Sequence, residues 1–361
     1  MSSHIPLSCA DITDSEINAA TDALRGERLA LGSWTSRFEK SVAQHVGSNF
    51  GIATNSAYTA MFITLESLSI GSEDEVITPA FANPWSAACV LQLGATPVFA
   101  DCDPRSLNMD AKDVGAKITP KTKAIVPVHF TGLMCEMDRI SEIADKHDIH
   151  IIEDAAQSFG AEYQFQKAGS FSSVAIFSMN PMKVFAACGE AGMVVTDDYE
   201  TYNWLLSLRY NGTVKKENCI QPSHNARIDT LQAAILLEKI KDLNGIIIRR
   251  RAIARLYDDR LRNTVIVPIE KDSEYDVYYT YTIQVENRKE LIKHLNMYGI
   301  ETKIQHPILM PNQQPYQNAS CGNISNAKRL VERILCIPAN EKMTDEDIHY
   351  VSDCIIDFYR S

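Results

Sequence analysis

The chain has 361 residues, enough for two domains with sizeable cores, and at 45% apolar and 22% charged it has the composition of an ordinary globular protein. Its net charge of −11 argues against nucleic acid or an anionic membrane as the main partner, so any phosphate must sit in a local basic pocket or on backbone amides. The start, Met1-Ser2-Ser3-His4-Ile5-Pro6, lacks a basic region and an apolar core, no apolar run is long enough to span a bilayer, and nine scattered cysteines without a C-x-x-C pair read as thiols of a reducing cytoplasm.

Residues 11–47 read as helical, with Asp14 as a cap before Glu16 to Arg25 and with Trp34 and Phe38 packing on the main domain. Asn49 to Ala53 reads as a strand. The segment Asn55-Ser56-Ala57-Tyr58-Thr59-Ala60-Met61 then opens a helix, whose free amides suit a phosphate but also suit an ordinary capped helix. Glu75 to Pro79 is a second strand, followed by Phe81, Asn83 and Trp85, the last of which could be a plain core residue. Ala124 to Val128, Met137 to His147 and Ile149 to Ile152 form a strand, a helix and a strand, the signature of a parallel βαβ unit. Asp154 follows at the carboxyl end of the last strand, where open α/β sheets place ligand-binding residues. The plainer reading makes it a helix cap before Ala155-Ala156-Gln157.

The stretch from Val174 to Val195 holds one lysine, Lys183, between two apolar runs. The first run stops at Asn180-Pro181, because Pro cannot continue a central ladder. A lysine desolvated there loses its proton more easily and can attack a carbonyl, the chemistry of a Schiff-base lysine. A pyridoxal phosphate (PLP) enzyme needs such a lysine and an acid facing the pyridine nitrogen, and Lys183 and Asp154 are the candidates. Cys188 reads as a small core residue. Tyr210-Asn211-Gly212-Thr213 is a turn, Leu231 to Leu243 a helix, and Arg249-Arg250-Arg251 a solvated helix face. Near Gly245 a large domain (1–245) gives way to a smaller one (246–361). In the latter, Tyr275 to Val285 and Ile300 to Ile304 read as strands, and Arg288 to Tyr298 and Asp345 to Tyr359 as helices. The chain carries no G-x-G-x-x-G after a first strand, no P-loop and no G-x-S-x-G, which weighs against a nicotinamide dehydrogenase.

Six segments in order resemble the DegT/DnrJ/EryC1/StrS sugar aminotransferases, which are PLP enzymes of fold type I. They are Gly32-Ser33-Trp34, Gly71 to Pro79, Gly94 to Asp101, Val128-His129-Phe130-Thr131-Gly132, Glu153-Asp154-Ala155-Ala156-Gln157 and Asn225-Ala226-Arg227-Ile228-Asp229. The resemblance implies an α/β fold with a mostly parallel seven-stranded sheet between helices and a smaller C-terminal α+β domain. It makes Lys183 the PLP lysine, Asp154 the pyridine partner, Gln157 a contact on the ring hydroxyl side and Ser178 a phosphate ligand. Ala57 and Tyr58 stand where the family has a phosphate-binding Gly-Thr pair, so only their amides remain. Asn83 stands where an aromatic residue covers the ring, with Trp85 as the other candidate. Asn225 matches a residue that reaches the phosphate of the neighbouring subunit, which implies a homodimer. Asn180 replaces a frequent His, Val184 a frequent Asn, and Gln305-His306-Pro307 a frequent His-Tyr-Pro. The function implied is ping-pong transfer of an amino group from glutamate to a keto-sugar, either nucleotide-linked or a simple sugar phosphate. A non-catalytic regulator that keeps the fold is the rival reading.

Overall fold

Seven short apolar runs form one sheet in the computed structural model, which describes residues 4–26 and 28–360. The strands are β1 (Phe50–Thr54), β2 (Glu75–Pro79), β3 (Thr96–Ala100), β4 (Thr122–Ile125), β5 (His150–Asp154), β6 (Val174–Ser178) and β7 (Gly192–Thr196). Their order is β1-β7-β6-β5-β4-β2-β3; β7 is antiparallel to both neighbours and all other pairs are parallel. Helices cover both faces, so the strands are apolar on both sides. In β6, Val174 and Ile176 enter the core that contains Met61 and Leu65, while Ala175 and Phe177 enter the core that contains Met137 and Ile140. That is the two-residue period of a strand, and each fully buried large side chain contributes roughly 1.5–3 kcal/mol. Because β5 and β6 are parallel, with Asp154 in register with Ile176, their carboxyl ends emerge together at one edge.

The smaller C-terminal part has its own core of Tyr257, Tyr281, Ile283, Leu335, Ile337, Val351 and Ile355. It is built on β8 (Tyr281–Gln284) paired antiparallel with β9 (Ile334–Ile337) and on the helix Asp345–Arg360. The helix Leu243–Leu261 links the two parts: Leu243 and Ile247 belong to the large core, Ile253 to Leu261 to the small one.

Several local expectations are corrected. The first helix, Asp14–Arg25, is capped by Thr13 through a capping box with Glu16, not by Asp14. It ends at Gly26, and a separate helix runs over Ser33–Val46. The helix expected over 231–243 is two, Thr230–Lys239 and Leu243–Leu261, with a turn between them. The strand expected over 275–285 is interrupted at Tyr278, whose φ of +47° is incompatible with a ladder. Residues 300–304 make only isolated bridges, Ile300 with Ile5 and Lys303 with Cys336. The arginine run is no solvated face. Arg250 is buried, pairs with Glu341 at 2.7 Å and donates to the carbonyls of Tyr278, Tyr279 and Ala339; Arg249 pairs with Asp345 and Arg251 with Glu270. Cys188 is exposed rather than in the core, and all nine cysteines are free thiols. No described helix is long and apolar enough to cross a membrane, and no cluster of metal-ligating side chains exists among the described residues.

Candidate active site

Asp154 is the last residue of β5 and only 1% exposed. No helix follows it, so the cap reading fails, although its Oδ1 accepts the Ala156 amide at 3.1 Å in a tight turn. Its Oδ2 is buried and has no hydrogen-bond partner among the described residues. Burial raises the carboxyl to about 7, against the pull of the Ala156 amide and of Lys183. A buried carboxylate oxygen without a donor calls for one, and the charged N–H of a pyridinium would supply it.

Lys183 lies in the loop after β6, where Asn180-Pro181 ends the strand. Its ammonium sits 4.2 Å from the ring centroid of Tyr279. Burial lowers it to about 8, opposed by Asp154 and assisted by Lys303. The loop is tied down at both ends. Asn180 Nδ2 donates to Glu190 Oε1 at 2.6 Å, and Gln232 exchanges two hydrogen bonds with the backbone of Cys188, at 3.0 and 3.1 Å.

Lys183 opens onto a cavity of about 300 Å³ at the carboxyl ends of β5 and β6. Ala57, Tyr58, Asn83, Trp85, Gln157 and Ser178 all line it, so six positions expected from sequence converge with Lys183. Ser56 caps the helix Ala57–Ser67 by accepting the Thr59 amide at 3.2 Å, and the helix start at Ala57 and Tyr58 lines the cavity together with Ser178. Such an arrangement suits a phosphate. Gly192 of β7 makes it possible. A Cβ there would lie 2.6 Å from the Ala57 nitrogen, so only glycine lets the strand pass under the helix start. Gln157 is oriented from behind, its Oε1 accepting the Thr131 amide at 3.1 Å. Asn83 and Trp85 both line the cavity, and the Trp85 amide donates to Asn83 Oδ1 at 3.2 Å.

Asn225 does not join them. It is exposed and outside this cavity, its Oδ1 accepting from Arg227 Nε at 2.7 Å and its carbonyl from Asn55. The structure adds wall residues that sequence reasoning did not assign, Tyr279, Lys303, Met182, Glu190 and Ala156. Tyr279 and Lys303 come from the smaller part of the chain, and a lone charged residue in Thr302-Lys303-Ile304 was the one available signal. His306, which also lines the cavity, packs against Phe130 with ring centroids 5.8 Å apart and is pushed down to about 4 by burial and by the two lysines.

A lysine with a lowered proton affinity and a helix start suited to a phosphate on one cavity, with a buried acid lacking a donor two residues before the Ala156 wall, fit the expected family, and residues 10–356 match the DegT/DnrJ/EryC1/StrS aminotransferase family. The chain belongs to that family. Among similar proteins is a pleiotropic regulatory protein from Geobacillus stearothermophilus, 34% identical over 94% of this chain and 93% of the relative. Another is the UDP-2-acetamido-2-deoxy-3-oxo-D-glucuronate aminotransferase of Pseudomonas aeruginosa, 33% identical over 91% of each chain. Among solved structures, Spr1654 from Streptococcus pneumoniae in its PLP-form superposes with a TM-score of 0.94 at 25% identity over 99% of each chain; it has also been solved in a PMP-form. The fold of this family member is thus the one expected from its sequence, an α/β fold with a mostly parallel seven-stranded sheet.

Proposed function

We propose that this family member is a PLP-dependent aminotransferase that moves an amino group from glutamate to a nucleotide-linked keto-sugar. The observation that carries the reading is Lys183, brought down to about 8, opening onto the cavity and acting electrostatically on a buried Asp154 whose Oδ2 has no partner among the described residues. The residues fit the cofactor. The Ala57 and Tyr58 amides and Ser178 would hold its phosphate, Gln157 its ring hydroxyl side, Asp154 its pyridine nitrogen and Lys183 its aldehyde carbon, with Asn83 or Trp85 over the ring. When bound, PLP supplies an electron sink for the carbanion formed at the amino donor. Lys183 Nζ takes the proton from the donor's α-carbon. Asp154 Oδ2 would hold a negative charge against the ring nitrogen, and its burial keeps that charge from being screened by water. The Gln232 and Glu190 contacts keep the lysine loop in place while the proton moves.

The names of the relatives support a keto-sugar carried on a nucleotide, and a sugar phosphate is the narrower alternative. The exposed Asn225 supports a homodimer in which it reaches the neighbouring subunit's phosphate site. The net charge and free thiols support a cytoplasmic enzyme. We divide the chain near residue 245, just inside the helix that links the two cores. The regulator reading draws on the Geobacillus relative's name and on the missing hydroxyl at the Gly-Thr position; the retained Lys183, Asp154 and Gln157 oppose it. The absorption spectrum of the purified protein decides. A yellow band that fades on adding glutamate and is missing from Lys183→Ala is the expected result. A colourless protein that stays colourless with added PLP overturns the enzyme reading in favour of the regulator.

A further inference from the structure

Next to the main cavity lies a second, smaller one of about 30 Å³, large enough for a water or one small polar group. The two share Met182, Tyr279, Lys303 and Gln305, so the small cavity is an annex of the large one. Its remaining wall includes Arg250 and Ser8. Arg250 is already neutralised by Glu341 and spends its donors on three backbone carbonyls. Lys303 differs: among the described residues its ammonium makes neither an ion pair nor a hydrogen bond, and its charge reaches both Lys183 and His306. Gln305 Oε1, in a side chain 4% exposed, is also without a partner there. Among the described residues the one acid on the cavity surface, Glu190, is engaged by Asn180. In a chain of net charge −11, this junction is a place where positive charge is left uncompensated.

We propose that Lys303 and the annex beside it bind a carboxylate of the substrate, so that Lys303 selects for an acidic group at a fixed distance from Lys183. The inference rests on the aminotransferase reading and names the substrate feature its site recognises. Two substrates could bring the carboxylate, since both enter the same cavity in turn: the amino donor, if dicarboxylic, or the keto-sugar, if it is a sugar acid. A charge-assisted hydrogen bond of this kind contributes roughly tenfold to a hundredfold in affinity. Lys303 stands at the cavity mouth and is exposed, so its replacement leaves the cores untouched.

The test compares wild type, Lys303→Met and Lys303→Arg. Binding of glutarate, a dicarboxylate with no amino group to transfer, is measured by calorimetry on the PLP-loaded protein, and KM is measured for glutamate, alanine and a keto-sugar with and without a carboxylate. Glutarate affinity and glutamate KM worsening about tenfold to a hundredfold in Lys303→Met, with alanine unaffected and Lys303→Arg restoring most of the loss, assigns the annex to the donor's distal carboxylate. A loss confined to the acidic keto-sugar assigns the same site to the sugar. Unchanged values for glutarate, glutamate and the acidic sugar overturn the proposal. Glutarate binding does not require turnover, so a wild-type protein that binds it through Lys303 yet never transaminates would defeat the aminotransferase reading alone.

Discussion

Asp154 and Lys183 act on each other across the site in opposite directions: the carboxylate raises the proton affinity of the lysine, and the ammonium lowers that of the acid. Burial outweighs both effects, leaving the acid at about 7 and the amine at about 8. Replacing Asp154 by Asn removes one side of this relationship. The lysine then becomes still easier to deprotonate, while the ring nitrogen loses its counter-charge. Asp154→Asn should still take up PLP at pH 7.5, yet turn over about a hundredfold to ten-thousandfold more slowly. Loading followed by absorbance and turnover followed by product formation separate the two effects.

Uptake of PLP by the ligand-free protein should accelerate with rising pH. Only the neutral amine of Lys183 attacks the aldehyde, and its neutral fraction grows as pH passes through about 8. Below that value the rate should fall about tenfold per pH unit, as for any single titrating nucleophile. Stopped-flow absorbance at pH steps of about half a unit gives the midpoint. A midpoint near that of a free lysine would show that burial does not reach Nζ.

Stability of the ligand-free protein should decline between about pH 6.5 and 8. Asp154 and Asp276 are held at about 7 and about 8 by burial, well above the value of 3.8 they have when unfolded. A raised acid gives stability that is complete below its unfolded value and lost as pH climbs through its folded value, because the fold then carries a buried charge. The lowered histidines, His45 and His306, act in the opposite sense but only below about 6.5, and lowered Lys183 only above about 8. Differential scanning fluorimetry should show Tm falling across this window, and Asp154→Asn should flatten part of the fall.

Gly192→Ala should damage the phosphate cradle more than the fold. The added methyl would meet the Ala57 nitrogen at 2.6 Å, and the helix start would have to move. Overpacking of this kind costs about 1–3 kcal/mol, which should appear as a Tm lower by several degrees. PLP affinity should fall more than tenfold, since the displaced amides are the ones proposed to hold the phosphate. A titration of PLP by absorbance checks it; unchanged affinity would place the phosphate elsewhere.

The alternation of buried strands and helices, the lysine after β6 and the acid at the end of β5 were all legible in the chain. These are local facts: apolar runs of strand length, a proline that stops one of them, and an acid at the end of another. The helix Met137–His147 and strand β2 are where periodicity placed them. The features that were not legible there join residues far apart in the chain. The break at Tyr278, the pairing of Arg250 with Glu341 and the exposure of Cys188 depend on neighbours that no local pattern names. Tyr279 and Lys303 join Lys183 only because the helix Leu243–Leu261 carries the second core back over the carboxyl edge of the sheet. Side-chain period is written in the residues next to one another, whereas convergence on a cavity is a property of topology, and that is set by how whole layers bury their apolar faces.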